Sequence, residues 1–358
     1  MLLACFTLSA GNLDELRQLA QDKRFFELRR ALQQSGSNTS ETLFYRGVVA
    51  SRFGREEEGI GLLQEFLTTN PAPEIARQAQ QEISSAFVRL GRYGEAIRSS
   101  SEVDPLIISL RDFAPETVEF IEAPLVKATR NRLGTWSVPV QVNGVHSQWI
   151  FDTGANFSAV CESEANRMGL SIHDSRATVA GMNGNNPARV ASADVWMGSA
   201  HIRNVVLLVF TDQAMYLAPI RLQMLGFLGL PEIRALKRVG ISRNGAVRIR
   251  PPESTAAGAT QQPNLFFDGQ NPVAELSHEE RQLQLVIDTG AFTSEFYPSF
   301  RSALSTGEIS KMKRVRQKEA GVGGAVVDRR IDQLPELWVS VLGRRLKYQE
   351  SQFYGRDR

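Results

Sequence analysis

The chain has 358 residues, enough for two or three domains at about 100–200 residues each. Hydrophobic residues make up 42% and charged residues 22%, globular proportions that exclude bulk disorder and a collagen-like or coiled-coil fibre. With 41 basic and 39 acidic residues the net charge is +2, too balanced for nucleic acid or an acidic membrane to be the main partner. The two cysteines, Cys5 and Cys161, make no disulfide framework. The four histidines are scattered, and His278-Glu279-Glu280 lacks the second His of a zinc-protease helix. No metal or organic cofactor is expected. No apolar run reaches the roughly 18 residues that a membrane span needs.

In chain order, Met1 to Ala10 reads as the hydrophobic core of a secretory signal that lacks a basic start, so residues 1–11 are expected to be a partial signal segment. An exported protein follows from that reading, periplasmic, secreted or membrane-attached. The other reading is a first helical turn on a cytoplasmic protein. Residues 12–110 carry helical periodicity: Leu13, Leu16, Leu19 and Ala20 recur on one face, then Phe25, Leu28, Ala31 and Leu32. Gly47, Gly54, Gly59 and Pro71, with a weaker copy at Gly91-Arg92-Tyr93 and Ala96, resemble the tetratricopeptide repeat. That resemblance implies a surface for a protein partner, the alternative being a helical cap that only packs. From about Pro124 the period changes to two. Val138, Val140 and Val142 alternate with smaller or polar residues, Asn143-Gly144 marks a hairpin, and the chain returns through Trp149 to Phe151. Strands are predicted over Val190 to Met197 and Val205 to Phe210, and short helices over Glu162 to Met168 and Pro231 to Lys237. Residues 251–263 hold no large apolar side chain and read as a solvated linker. Strand character resumes at Val273 to Leu276 and at Leu283, Leu285 and Ile287. The basic run Lys311 to Lys318 reads as a solvated surface loop.

The informative feature is an internal repeat. Trp149-Ile150-Phe151-Asp152-Thr153-Gly154-Ala155 is followed 136 residues later by Leu285-Val286-Ile287-Asp288-Thr289-Gly290-Ala291. Each copy ends a strand returning from a turn, and each is followed by hydroxyls, Ser158 in the first and Thr293 and Ser294 in the second. One Asp-Thr-Gly is weak evidence; two in the same setting are hard to reach by chance. The apolar run is expected to bury the strand and carry the carboxylate into a dry place. Gly154 and Gly290 would let the backbone turn sharply and approach a ligand. The Thr153 and Thr289 hydroxyls can bond buried backbone and lock the loops.

The doubled motif resembles the aspartic proteases, and the Asp-Thr-Gly-Ala form is closest to the retropepsin-like families of bacteria. The resemblance covers about Ala123 to Gln349 and implies the following. The fold would be an N-terminal α-helical repeat region followed by two mainly-β barrel lobes, at 123–250 and 264–358, the second truncated. Asp152 and Asp288 would be catalytic. Gly181-Met182-Asn183-Gly184 would form a flap tip over the cleft, and Gly321 to Gly324, with Gly323 and Gly324 at its centre, its counterpart. Phe227-Leu228-Gly229 would be the late glycine segment of lobe one; it lies 77 residues after Asp152, and the same offset from Asp288 falls beyond Arg358. The implied activity is hydrolysis of an extended peptide or protein substrate through a water activated by the two aspartates. Ala155 and Ala291 lack the hydroxyl of pepsin-like enzymes, so the pair is expected to titrate less acidically than in a digestive protease. The alternatives are a protease active only as a homodimer of lobe one, and a non-catalytic scaffold in which the helices bind peptides.

Overall fold

The computed structural model describes residues 10–35, 39–120, 125–181, 184–242, 244–250, 263–291, 293–320 and 326–353. Most of the linker expected at 251–263, residues 251–262, and most of the expected signal segment lie outside them. The chain divides into two compact units. One holds residues 1–115 with 265–270, the other residues 116–264 with 271–358.

The first unit is helical: α1 (Ala10–Gln21), α2 (Phe25–Ser35), α3 (Ser40–Arg52), α4 (Glu56–Thr68), α5 (Pro73–Arg89), α6 (Tyr93–Ser99) and α7 (Pro105–Ser109). Helix α1 starts inside the segment expected to be a signal. The caps explain several boundaries. Thr39 accepts the Thr42 N–H at the start of α3, Pro73 and Pro105 open α5 and α7, and Gly54 turns the chain after α3 with φ +80°. Gly47 and Gly59 sit where α3 and α4 cross. A Cβ at Gly47 would lie 2.7 Å from Leu63 Cγ, and one at Gly59 2.6 Å from the Ser51 backbone nitrogen. The strand Leu265–Asp268, expected to open the second lobe, groups with these helices because Phe266 packs edge-on against Phe25 and Phe26, at 5.1 and 5.2 Å between centroids.

A charged network is buried in this unit. Arg89 donates to Ser51 Oγ at 2.5 Å and pairs with Glu82 at 3.3 Å, and Arg52 bonds Glu82 at 2.9 Å. Burial alone would raise the Glu82 carboxyl, but the charges of Arg52 and Arg89 outweigh it and hold it below the usual range. Arg89→Ala takes one counter-charge from a buried carboxylate and should cost about 3 kcal/mol or more of helical stability. Urea denaturation followed by far-UV circular dichroism checks this; an unchanged midpoint would contradict it.

In the second unit, six strands close a barrel in the order Trp136–Val142, Val145–Phe151, Gly226–Leu228, Ser158–Cys161, Ala200–Phe210 and Arg189–Met197, the last pairing back to the first. Asn143 and Gly144, with φ +49° and +78°, make the hairpin turn between the first two. Val138, Val140 and Val142 point inward with Trp149, Met197 and Leu207 into one core. The strand Thr117–Phe120 joins this sheet on Ala200–Arg203, so the sheet begins before residue 123. Gly169, at φ +67°, closes the helix Glu162–Arg167 as its position predicts.

A C-terminal sheet contains Asn271–His278, Arg281–Val286, Glu295–Phe296, Lys313–Ala320, Val326–Val341 and Arg344–Phe353. The basic run expected as a loop is a strand from Lys313, because it pairs along its length with Val326–Gln333. Glu295–Phe296 runs parallel to Gln352–Phe353, just as Ser158–Cys161 runs parallel to Leu207–Phe210. The two strands therefore hold the same topological place after each Asp-Thr-Gly. The buried cluster here is smaller, built on Leu276, Phe296, Phe300, Leu304, Leu334, Leu337, Val339 and Phe353. Among the described residues Arg281–Val286 pairs only with Asn271–His278, and nothing stands in the place of Gly226–Leu228. Among the described residues no helix is long and apolar enough to cross a membrane.

Candidate active site

The two Asp-Thr-Gly loops, 136 residues apart, meet face to face in the second unit. Four hydrogen bonds join them reciprocally. Thr289 Oγ1 accepts the Thr153 N–H at 3.1 Å and donates to the Phe151 carbonyl at 2.7 Å. Thr153 Oγ1 accepts the Thr289 N–H at 3.0 Å and donates to the Ile287 carbonyl at 2.7 Å. Each threonine thus uses its hydroxyl on the other strand's backbone, at the residue preceding the other aspartate and the residue following it. A valine or alanine could make neither bond.

The glycines bring the carboxylates close. A Cβ at Gly154 would lie 2.5 Å from Asp288 Cγ, and one at Gly290 would collide with the Asp152 carboxylate. Neither glycine has a positive φ. The requirement for glycine here is therefore space against the opposite carboxylate rather than left-handed backbone. Asp152 Oδ1 accepts the Gly154 N–H at 2.9 Å, while Asp288 Oδ1 accepts those of Gly290 and Ala291 at 2.8 and 3.0 Å. The alanines thus contribute through their backbone.

Burial and then the charge of Asp288 push the Asp152 carboxyl up to about 7, against the pull of the Gly154 and Ala155 N–H groups. The direction is the one expected from Ala155 and Ala291, but its main cause is burial. Asp152 is enclosed while keeping an opening to solvent, and Asp288 is exposed. The surroundings explain the difference. Trp149, Ile150 and Phe151 are buried, and Gly226–Leu228 runs beside them, its Leu228 carbonyl accepting the Asp152 N–H at 2.9 Å. In the second copy Val286 is 50% and Ile287 37% exposed. The expectation that both apolar runs carry their carboxylates into a dry place is corrected for this copy: no strand among the described residues covers it.

The remaining expected residues divide into described and undescribed. Gly181 and Gly184 end two strands, Thr178–Gly181 and Gly184–Pro187, that pair as a hairpin, with Gly184 at φ +108°. Met182 and Asn183, at its tip, lie outside the described residues. So do Gly323 and Gly324, although Ala320 pairs with Val326 on either side of them. Cys161 is fully buried, as a small core residue should be. Sequence reasoning passed over Glu232, which is fully buried behind the first loop with its Oε2 accepting from Ser158 Oγ at 2.6 Å. The available signal was an acidic residue inside the apolar run Phe227 to Ile233.

A family model described as "Aspartyl protease" matches residues 138–230, about a quarter of the chain. That segment includes Asp152, the 178–187 hairpin and the Phe227-Leu228-Gly229 segment. Among solved structures, the chain is similar to a retropepsin-like aspartic protease from Rickettsia conorii, at 19% identity and a TM-score of 0.26, over 38% of this chain and 95% of that one. No curated protein matches.

Proposed function

We propose that the chain is an aspartic endopeptidase whose two carboxylates, Asp152 and Asp288, come from one polypeptide. The reading is carried by the reciprocal threonine bonding, which sets the two Asp-Thr-Gly loops against each other with a glycine facing each carboxylate. Two carboxyls this close cannot both ionise readily, so the pair retains one proton. A water between them loses its proton to the ionised carboxylate and attacks the peptide carbonyl carbon, while the protonated carboxyl gives its proton to the carbonyl oxygen. Collapse of the resulting diol breaks the C–N bond, and the proton taken from water leaves with the amine. The two carboxyls exchange roles through the cycle, so neither is the acid throughout.

The substrate is an extended peptide, bound strand-like beneath the 178–187 hairpin. The helical unit is read as a tetratricopeptide-like surface for a protein partner, supported by the small residues at the α3–α4 crossing. The apolar start of the chain supports export. Peptide-library cleavage between pH 4 and 7 tests the central reading. Wild type should cleave, Asp288→Asn should lose at least a thousandfold in rate, and specific activity should not change on dilution. Activity retained in Asp288→Asn, or falling with the square of concentration, would replace this reading with a dimer of the first lobe. Peptide binding without cleavage would replace it with a scaffold.

A further inference from the structure

The loop that carries Asp152 is held from behind at three points by the segment Leu228 to Glu232. The Leu228 carbonyl accepts the Asp152 N–H at 2.9 Å, and the Leu230 N–H donates to the Ala155 carbonyl at 2.9 Å. The third point is Ser158, which is fully buried. Its Oγ accepts the Gly229 N–H at 2.8 Å and donates to Glu232 Oε2 at 2.6 Å. The backbone at Gly229 lies so close to the loop that a Cβ there would be 2.7 Å from the Phe157 carbonyl carbon.

A carboxyl is an expensive group for this position. Glu232 has no exposure, and its Oε1 is buried with no N–H or hydroxyl donor on it. The side chain of Glu116 faces it with its own buried Oε1, so the two carboxyls hydrogen-bond each other when one holds a proton, and Arg234 adds a positive charge near Glu116. A leucine could fill such space without that cost. What it could not do is accept the Ser158 hydroxyl proton, which leaves the serine lone pair oriented toward the Gly229 N–H.

We infer that Glu232 is a positioning residue: through Ser158 it fixes the loop that carries Asp152, with Glu116 as its proton-sharing neighbour. Burial pushes Glu232 up to about 7, and burial with the Glu232 charge holds Glu116 well above the usual carboxylate range, so the pair keeps a proton at neutral pH. The inference rests on reading Asp152 as a catalytic carboxylate.

The test compares Glu232→Ala, Glu232→Gln and Ser158→Ala for kcat, KM and the titration of the Asp152 carboxyl, followed by carbon-13 NMR of labelled aspartate. Glu232→Ala should lower kcat by 10- to 100-fold with KM within twofold, and should shift the Asp152 titration. Glu232→Gln, whose amide oxygen still accepts from Ser158, should recover most of the rate. Ser158→Ala removes the same bond with the glutamate in place, and should reproduce the kcat loss even where Glu232→Ala fails to fold. Unchanged kcat and titration in Ser158→Ala would overturn the inference, as would an equal loss in Glu232→Gln and Glu232→Ala. If wild type cleaves nothing, the proposed function fails, and the Asp152 titration in the same variants still decides the positioning role.

Discussion

Gly290→Ala is expected to abolish hydrolysis while leaving the protein folded. The added methyl would occupy the place of the Asp152 carboxylate, so that side chain or its loop must move. A displacement of about 1 Å in a reacting group costs on the order of a hundredfold in rate. Here the moved group is a reacting group itself, so a loss above a hundredfold in kcat/KM is expected. Gly154→Ala, whose methyl would lie 2.5 Å from Asp288 Cγ, should behave alike. Asp288 is the more exposed carboxylate and has more room to yield, so the Gly154→Ala loss should be the smaller. Steady-state kinetics with a thermal unfolding profile separates the two effects. Near wild-type rates in Gly290→Ala would show that the carboxylates need not approach each other across that glycine.

The pH dependence gives the second large effect. With Asp152 pushed up to about 7, the pair holds its single proton through the acidic range and loses it above neutrality. kcat/KM should therefore fall about tenfold per pH unit above roughly pH 7. Stability carries the same signature. The folded pKa lies above the unfolded carboxyl's 3.8, so the folded state binds more protons between about pH 4 and 7, and stability falls as pH rises through that window. Asp152→Asn should remove a slope of about 1.4 kcal/mol per pH unit there. Glu232 and Glu116 act in the same direction and should leave a residual slope. Urea denaturation between pH 4 and 8 reads this. An identical slope in wild type and Asp152→Asn would mean that Asp152 is not held protonated by its surroundings.

Much of the local structure was legible in the sequence because it depends on neighbours along the chain. The valine alternation before Asn143-Gly144 predicts a hairpin that returns to Asp152, and the hairpin forms with both turn residues at positive φ. The helix closed by Gly169 and the small residues Gly47 and Gly59 were legible for the same reason. Where the environment is non-local, reading failed. The basic run from Lys313 looks solvated by composition, yet becomes a strand through pairing with Val326–Gln333.

By itself the sequence determined that two Asp-Thr-Gly-Ala loops exist, each at the end of an apolar strand, because composition and period set strand and turn locally. Only the tertiary structure decided what those loops do to each other. Each threonine finds its partners on the opposite loop, and each glycine is required by the opposite carboxylate. It also decided that the two carboxylates are unequal. The first strand is covered by Gly226–Leu228 and backed by Glu232, while Val286 and Ile287 stay open to solvent. Burial, and with it the charge state of a carboxyl, is set by strands that pair across long separations, and a seven-residue motif contains no record of which strand will lie beside it.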